Sequence, residues 1–408
     1  MNKVGFHYRM DTDHYSEKDL GMWLPRLKQL DASWIVLNAP TSRAIPEGFI
    51  ARLKNENIEP VLHFQLTLRK LPAVEEMTLL FESYVKWGVK YVVLFDKPNQ
   101  QESWGSEAWA QSNLTERFLD GFLPLAEAAV ASGLVPVFPP LEPGGDYWDT
   151  IFLRGALEGI QRRASKQLID RLMLSAYTRL NAKPLSWGDG GPRSWPEAQP
   201  YHTPESSQDQ QGFRIADWYL TLSETVLEKK LPILLLGIQG PSSDDEELST
   251  ALVNGARLIA RQDLEGFDPL PEQVIGGAFW ILAGEEDSSW YTPEGSPKPV
   301  VLAFTREEET RPSEKSTGSY PIAHYLLLPS FEWGIADWHL NVTRPFIKRH
   351  RPTVGFSLEE ATQAEQVTVV GGEDHFSEKE LTQLRNQGAL VRRVEGDGTK
   401  IASLLAAI

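Results

Sequence analysis

The sequence predicts an α/β chain, a closed TIM-type (β/α)8 barrel followed by a small α/β module. Short apolar runs alternate with amphipathic helical stretches from the start of the chain, the pattern of parallel β/α units. Eight such runs fall within residues 4–282, more than an open doubly wound sheet usually needs. After Trp290 the alternation breaks, in a Pro-, Ser-, Glu- and Lys-rich stretch at 294–319. A chain of 408 residues exceeds what one core usually supports, so the expected division is a barrel at 1–292, a connector at 293–320 and a module at 321–408.

The strands are expected at 4–8, 34–38, 60–65, 91–95, 134–138, 171–176, 232–237 and 275–282. Helices are expected at 17–30, 46–57, 73–87, 114–132, 150–164, 212–229 and 245–261, with Ser132-Gly133 as one clear stop signal. VVLAF at 300–304 reads as a further segment able to pair. The module reads as a βαβα unit with a parallel sheet: HYLLLP, QVTVVGG, a helix at 377–387, a strand at 390–394 and a last helix from Thr399.

Composition excludes several classes. A net charge of -16 with no long basic run argues against nucleic acid as partner. Apolar runs such as 231–238 fall far short of a membrane span, and MNKVGFHYRM lacks an apolar signal segment. The default expectation is therefore a cytoplasmic chain, or an extracellular one if the chain is a fragment or is exported by another route. Zero cysteines remove disulfides, thiolate metal sites and a cysteine nucleophile. The eight histidines show no HExxH or closely spaced ligand pair, and neither a G-x-S-x-G elbow nor a phosphate loop is present, so no metal or cofactor is expected.

In a barrel of this kind the carboxyl ends of the strands converge on one face, and chemistry is sought there. That places His7, Asn38, His63 or Gln65, Asp96, Glu142, Tyr177, Gln239, Trp280 and Glu285 in one ring. Trp104, Trp109, Tyr147, Trp148, Trp187, Trp195, Tyr201, Trp290 and Tyr291 crowd the same connections. Flat rings with polar neighbours suit the apolar faces and hydroxyls of sugars; loop packing is the alternative for each ring. The longest connection, Tyr177 to Gln211, is rich in Gly and Pro yet holds three of these aromatics, which points to an ordered cover.

On LFDKPNQ at strand four, LSAYT at strand six, GFRIADWYLTLSETVLEKKLPILLLGIQGP across helix six and strand seven, and GGAFWILAGEEDSSW at strand eight, residues 1–292 resemble the clan of eight-stranded glycoside hydrolases. The resemblance implies an acid/base Glu after strand four and a nucleophile Glu after strand seven. This chain has Asp96-Lys97 where Asn-Glu is expected and Leu236-Gly237-Ile238-Gln239 where Thr-Glu is expected, so the resemblance implies that both glutamates are substituted.

Hydrolysis then needs two other carboxylates facing one bond, about 5 Å apart for retention or about 6.5–9.5 Å for inversion. Asp96 and Glu142 are the best pair, with Asp146, Asp149, Asp189 and Glu285 in reserve. The substrate-binding candidates are His7, Asn38, Trp148, Tyr177, Trp187 and Trp280. The reading is a glycoside-hydrolase-like barrel that engages an oligo- or polysaccharide at its carboxyl face. The alternative is a non-catalytic glycan-binding or assembly protein, with the terminal module available to a protein partner. A barrel enzyme using Lys97 as a Schiff-base group is a third reading, against which stands a simply solvated lysine.

Overall fold

The computed structural model describes residues 3–180, 183–240, 246–262, 264–286, 288–310, 321–329, 337–386 and 389–406. They form two compact units, Met1–Glu307 and Glu308–Ile408. The first is a (β/α)8 barrel with strands β1 Val4–His7, β2 Trp34–Asn38, β3 Glu59–Phe64, β4 Tyr91–Leu94, β5 Val135–Val137, β6 Leu174–Arg179, β7 Ile233–Gln239 and β8 Val274–Phe279. All eight are parallel, in the order β5-β4-β3-β2-β1-β8-β7-β6.

The seam between β5 and β6 is thin because Pro136 brings no N–H to it. It closes through the Phe138 N–H on the Met173 carbonyl (2.8 Å) and the Met173 N–H on the Pro136 carbonyl (3.1 Å). The buried Ser175 hydroxyl adds a bond to the Phe138 carbonyl at 2.7 Å.

Strand alternation sorts the core into two shells. Val36, Val61, Val93, Val137, Met173, Tyr177, Leu234, Leu236 and Ala278 pack inside the barrel, floored by Trp34, Tyr91, Val135 and Ile275. The other face of each strand packs on the helices, as Phe6, Ile35, Leu62, Leu94 and Leu235 do. The same parity puts His7 two residues above Gly5, His63 two above Val61 and Tyr177 two above Ser175, all pointing into the mouth. Gly5 is needed: a Cβ there would lie 2.4 Å from Trp34 Cβ.

β6 starts three residues later than the sequence suggests, since residues Lys166–Arg171 form a short helix capped by Ser165. The VVLAF segment lies in the helix Pro299–Thr310 instead of pairing as a strand, and residues 311–320 of the expected connector lie outside the described residues. The second unit is a four-stranded parallel sheet, β9 Ile322–Leu327, β10 Thr353–Gly355, β11 Ala364–Val370 and β12 Leu390–Val394, in the order β10-β9-β11-β12. β10 is the strand the sequence pattern missed; at three residues it is too short to show a period. Among the described residues no helix is long and apolar enough to cross a membrane.

Two outcomes follow. Ser175→Ala leaves the Phe138 carbonyl without its side-chain partner at the seam and should cost about 1–3 kcal/mol in urea unfolding; an unchanged midpoint would mean that the seam does not depend on this bond. Burial holds His63 below its usual 6.5, although the Asp96 charge and the Phe95 carbonyl pull the other way. Its Nε2 faces that carbonyl at 2.9 Å, so Nε2 carries the proton of the neutral ring. Because the native ring resists protonation, the unfolded chain takes up the extra proton, and stability falls as pH drops below 6.5 toward the lowered native value. His63→Gln keeps a donor for the carbonyl and should flatten this slope by about 1.4 kcal/mol per pH unit, read from unfolding midpoints.

Candidate functional site

The end of β4 builds the mouth. Phe95 and Lys97 both adopt left-handed backbone, φ 71° and 42°, which costs about 1–2 kcal/mol for each such residue. Packing holds the first: the Phe95 ring sits 5.5 Å from Phe118 and 6.5 Å from Phe122. The Phe95 side chain thus stays outside the barrel while Asp96 turns inward.

There the Tyr177 hydroxyl donates to Asp96 Oδ1 at 2.6 Å. Burial and the Asp96 charge push the Tyr177 phenol well above 10, so it remains a donor. The Arg179 guanidinium lies 4.9 Å from the centroid of the Tyr177 ring. Arg179 reaches Glu142 Oε2 at 3.3 Å and the Gly237 carbonyl at 3.3 Å.

The Gly237 N–H donates to His7 Nε2 at 3.0 Å, and the His7 ring lies 4.8 Å from that of Trp280. Burial, with His63 and Arg179 nearby, holds His7 well below 6.5, so its neutral ring accepts at Nε2 and carries its proton on Nδ1. His63 Nε2 is 4.0 Å from Asp96 Oδ1, a distance that would make an ion pair only if the imidazole were charged. Burial lowers its pKa, and the contact is one between a neutral ring and a carboxylate.

Gly237 is required at the centre of this arrangement. Its φ is 55°, it lies where the β7 register shifts, and a Cβ would meet Tyr177 Cδ1 at 2.6 Å. β7 therefore carries a bulge here that makes room for a tyrosine ring.

Side-chain exposure is 20% for Asp96, 29% for Glu142 and 16% for Arg179, so all three are partly open to solvent. Tyr177, His7 and His63 are buried and act from beneath. The Lys97 ammonium pairs with exposed Glu102 at 3.4 Å, as a solvated charge.

The connections after β4, β5 and β6 are bound to one another. Asn99, fully buried, donates through Nδ2 to the Glu142 and Tyr147 carbonyls (both 2.9 Å) and accepts the Glu142 N–H at Oδ1 (2.9 Å). Asp149, also fully buried, accepts from the Gly144 N–H (2.9 Å), Gln210 Nε2 (2.6 Å) and the Tyr219 hydroxyl (2.9 Å). Burial outweighs those donors and raises its carboxyl to about 6. The shift belongs to a loop anchor, because all the donors are structural.

The structure thus links Asp96, Glu142, His7, Tyr177 and Trp280 through one set of contacts, and adds Arg179. Asn38 donates to the Met10 carbonyl in the connection after β1. Trp148 is buried against Tyr201, ring centroids 5.1 Å apart. Trp187 donates its Nε1 to Asp209 Oδ1 at 2.8 Å, with Lys183 4.4 Å from its ring. Of the reserve carboxylates, Asp189 pairs with Arg214, Asp146 Oδ2 accepts the Gln101 N–H at 2.9 Å, and Glu285 is exposed. Trp104, Trp290 and Tyr291 are core residues.

Arg179 was missed because the sequence set β6 three residues early. With the strand placed at Leu174–Arg179, Arg179 shares the inward parity of Met173, Ser175 and Tyr177. The alternation of those residues was the available signal.

No protein-family model and no curated protein matches this chain. Solved structures do. A β-glucuronidase of Bacteroides uniformis superposes with a TM-score of 0.51 at 9% identity, covering 81% of this chain; the chain spans 38% of that protein's length. A GH5_18 protein of Streptomyces cattleya solved with GlcNAc matches with a TM-score of 0.45 at 11% identity over 98% of this chain and 99% of that one. An endo-1,4-β-xylanase of Penicillium canescens gives 0.43 at 10% identity over 77% and 96%. At such identity the first of these establishes shared architecture alone, and the chain is a (β/α)8 barrel.

Proposed function

We propose that this chain engages a carbohydrate at the carboxyl-end face of its barrel, as a binder. Asp96, Arg179 and Glu142 offer the hydroxyl-binding groups, Trp280 the aromatic surface, and Tyr177 and His7 the support beneath. Asn38, Trp148 and Trp187 border the same face as its rim. The observation that carries this reading is the chain of contacts from Asp96 through Tyr177 and Arg179 to Glu142, a fixed array of charged donors and acceptors partly open to solvent.

The same contacts weigh against turnover. A glycosidic acid must present a free O–H to the leaving oxygen. Glu142 Oε2 is instead occupied by an N–H of Arg179. Asp96 Oδ1 is occupied by the Tyr177 hydroxyl, and the ammonium of Lys97 points to Glu102. Hydrolysis with Asp96 and Glu142 as the pair is the second reading, favoured by their arrival at the two ends of one contact chain. It requires Arg179 to release Glu142 when substrate binds.

Calorimetric titration with neutral oligosaccharides, run beside a hydrolysis assay on aryl glycosides, separates the two. For a binder, the wild type gives no turnover, and Asp96→Asn weakens binding by about tenfold or more, the scale of one hydrogen bond to a charged group. For a hydrolase, Asp96→Asn and Glu142→Gln each lower turnover by on the order of 10²-fold or more while substrate still binds. Absence of both binding and turnover across the panel removes the carbohydrate reading altogether.

A further inference from the structure

Tyr201 occupies a position that ordinarily belongs to glycine. The backbone of Gln199 and His202 forms a tight pair of bonds (3.0 Å each way) around Pro200-Tyr201. Tyr201 takes φ 63° in the second turn position, where a proline-led turn usually has Gly. A bulky residue there is strained, yet Tyr201 is 60% exposed. Burial therefore does not repay the strain in full, and an outlier of this kind points to a use for the ring.

The ring is also fixed. Its hydroxyl accepts the Trp148 backbone N–H at 2.8 Å and lies 3.5 Å from the Asp146 carbonyl, while the Trp148 ring lies tilted against it. Asp146 in turn lines a recess of about 640 Å³ with Arg69, Gln100, Gln101, Glu102 and Ser106. That volume is within the range of small-ligand sites, roughly 300–1,000 Å³.

The lining is held in place as well. The Gln101 N–H bonds Asp146 Oδ2 at 2.9 Å, and Gly145 lets the Gln100 amide lie where a Cβ would be only 2.4 Å from its Nε2. One arginine against two carboxylates gives the recess no excess positive charge, which disfavours phosphate or a uronate. Amides, a hydroxyl and mixed charges beside an exposed aromatic face fit a neutral, hydroxyl-rich chain.

We infer that Tyr201 and this recess form a second glycan subsite on the rim, among the connections after β3, β4, β5 and β6, that binds an outlying residue of a neutral oligosaccharide. The inference rests on the carbohydrate reading of the mouth, and it predicts a dependence on chain length that the mouth alone does not.

The test is calorimetric titration of the full chain with neutral β-linked gluco- and xylo-oligosaccharides from disaccharide to hexasaccharide. In the wild type, affinity should rise at least tenfold with length. Tyr201→Gly relieves the backbone strain while removing the ring, and the double variant Arg69→Ala/Gln101→Ala alters only exposed side chains. Both should abolish the length-dependent gain and leave disaccharide binding as it was, whereas Asp96→Asn should weaken disaccharide binding. Loss of disaccharide binding in every protein, with a long-chain signal that Tyr201→Gly removes, would sink the mouth reading and keep the rim site. A length gain that survives both rim variants, or no binding at any length, overturns the rim site.

Discussion

Polar groups carried into a barrel mouth must find partners there, and the Tyr177 to Asp96 hydrogen bond is the pairing on which the others depend. At 2.6 Å it ties β6 to the turn after β4, across the position where β5 joins the barrel by its thinnest seam. Burial leaves the phenol no water to fall back on, so losing Asp96 as acceptor would strand a buried hydroxyl. The fixed ring then gives Arg179 a surface to lie on, and Arg179 directs Glu142. The bulge at Gly237 has the same origin, since β7 must give way to that ring and in doing so turns its N–H toward His7.

The second constraint lies in the loops. Connections this long normally carry exposed, variable backbone. Here two fully buried polar side chains, Asn99 donating to carbonyls and Asp149 accepting from donors, bind three successive connections together. The result is a rigid rim around a polar mouth. A raised carboxyl in a barrel invites a catalytic assignment, and Asp149 shows why that inference needs geometry: its oxygens are saturated by Gly144, Gln210 and Tyr219.

Most of the barrel was legible because parallel strands covered on both faces read as continuous apolar runs, and each is followed by an amphipathic helix with its own start and stop signals. β6 was the exception. RLMLSAYTR is apolar through its first half, and the short helix capped by Ser165 takes its first residue, so only the alternation Met173, Ser175, Tyr177, Arg179 marks where the strand runs. A strand set at 171–176 ends beside Tyr177, which is why Tyr177 was readable as a site residue, and it leaves Arg179 in the loop beyond, which is why Arg179 was not. Asn99 and Asp149 were illegible for another reason. Both act through tertiary hydrogen bonds to segments more than 40 residues away, and no local pattern encodes those.

The opposite case is the aromatic crowding. Counted along the sequence, Trp104, Trp290 and Tyr291 look like Trp148 and Tyr201, but the first three are buried in the core while Tyr201 stands exposed over a buried Trp148. What separates them is backbone geometry. A tyrosine in a left-handed turn position is costly wherever glycine would serve, and its ring contributes little stability when most of it faces water. Such a residue makes physical sense where a ligand supplies the missing burial. The barrel's polar mouth and its strained aromatic rim are then two parts of one surface: the first places charged donors and acceptors in a fixed array, and the second offers the flat apolar face that the mouth, apart from Trp280, lacks.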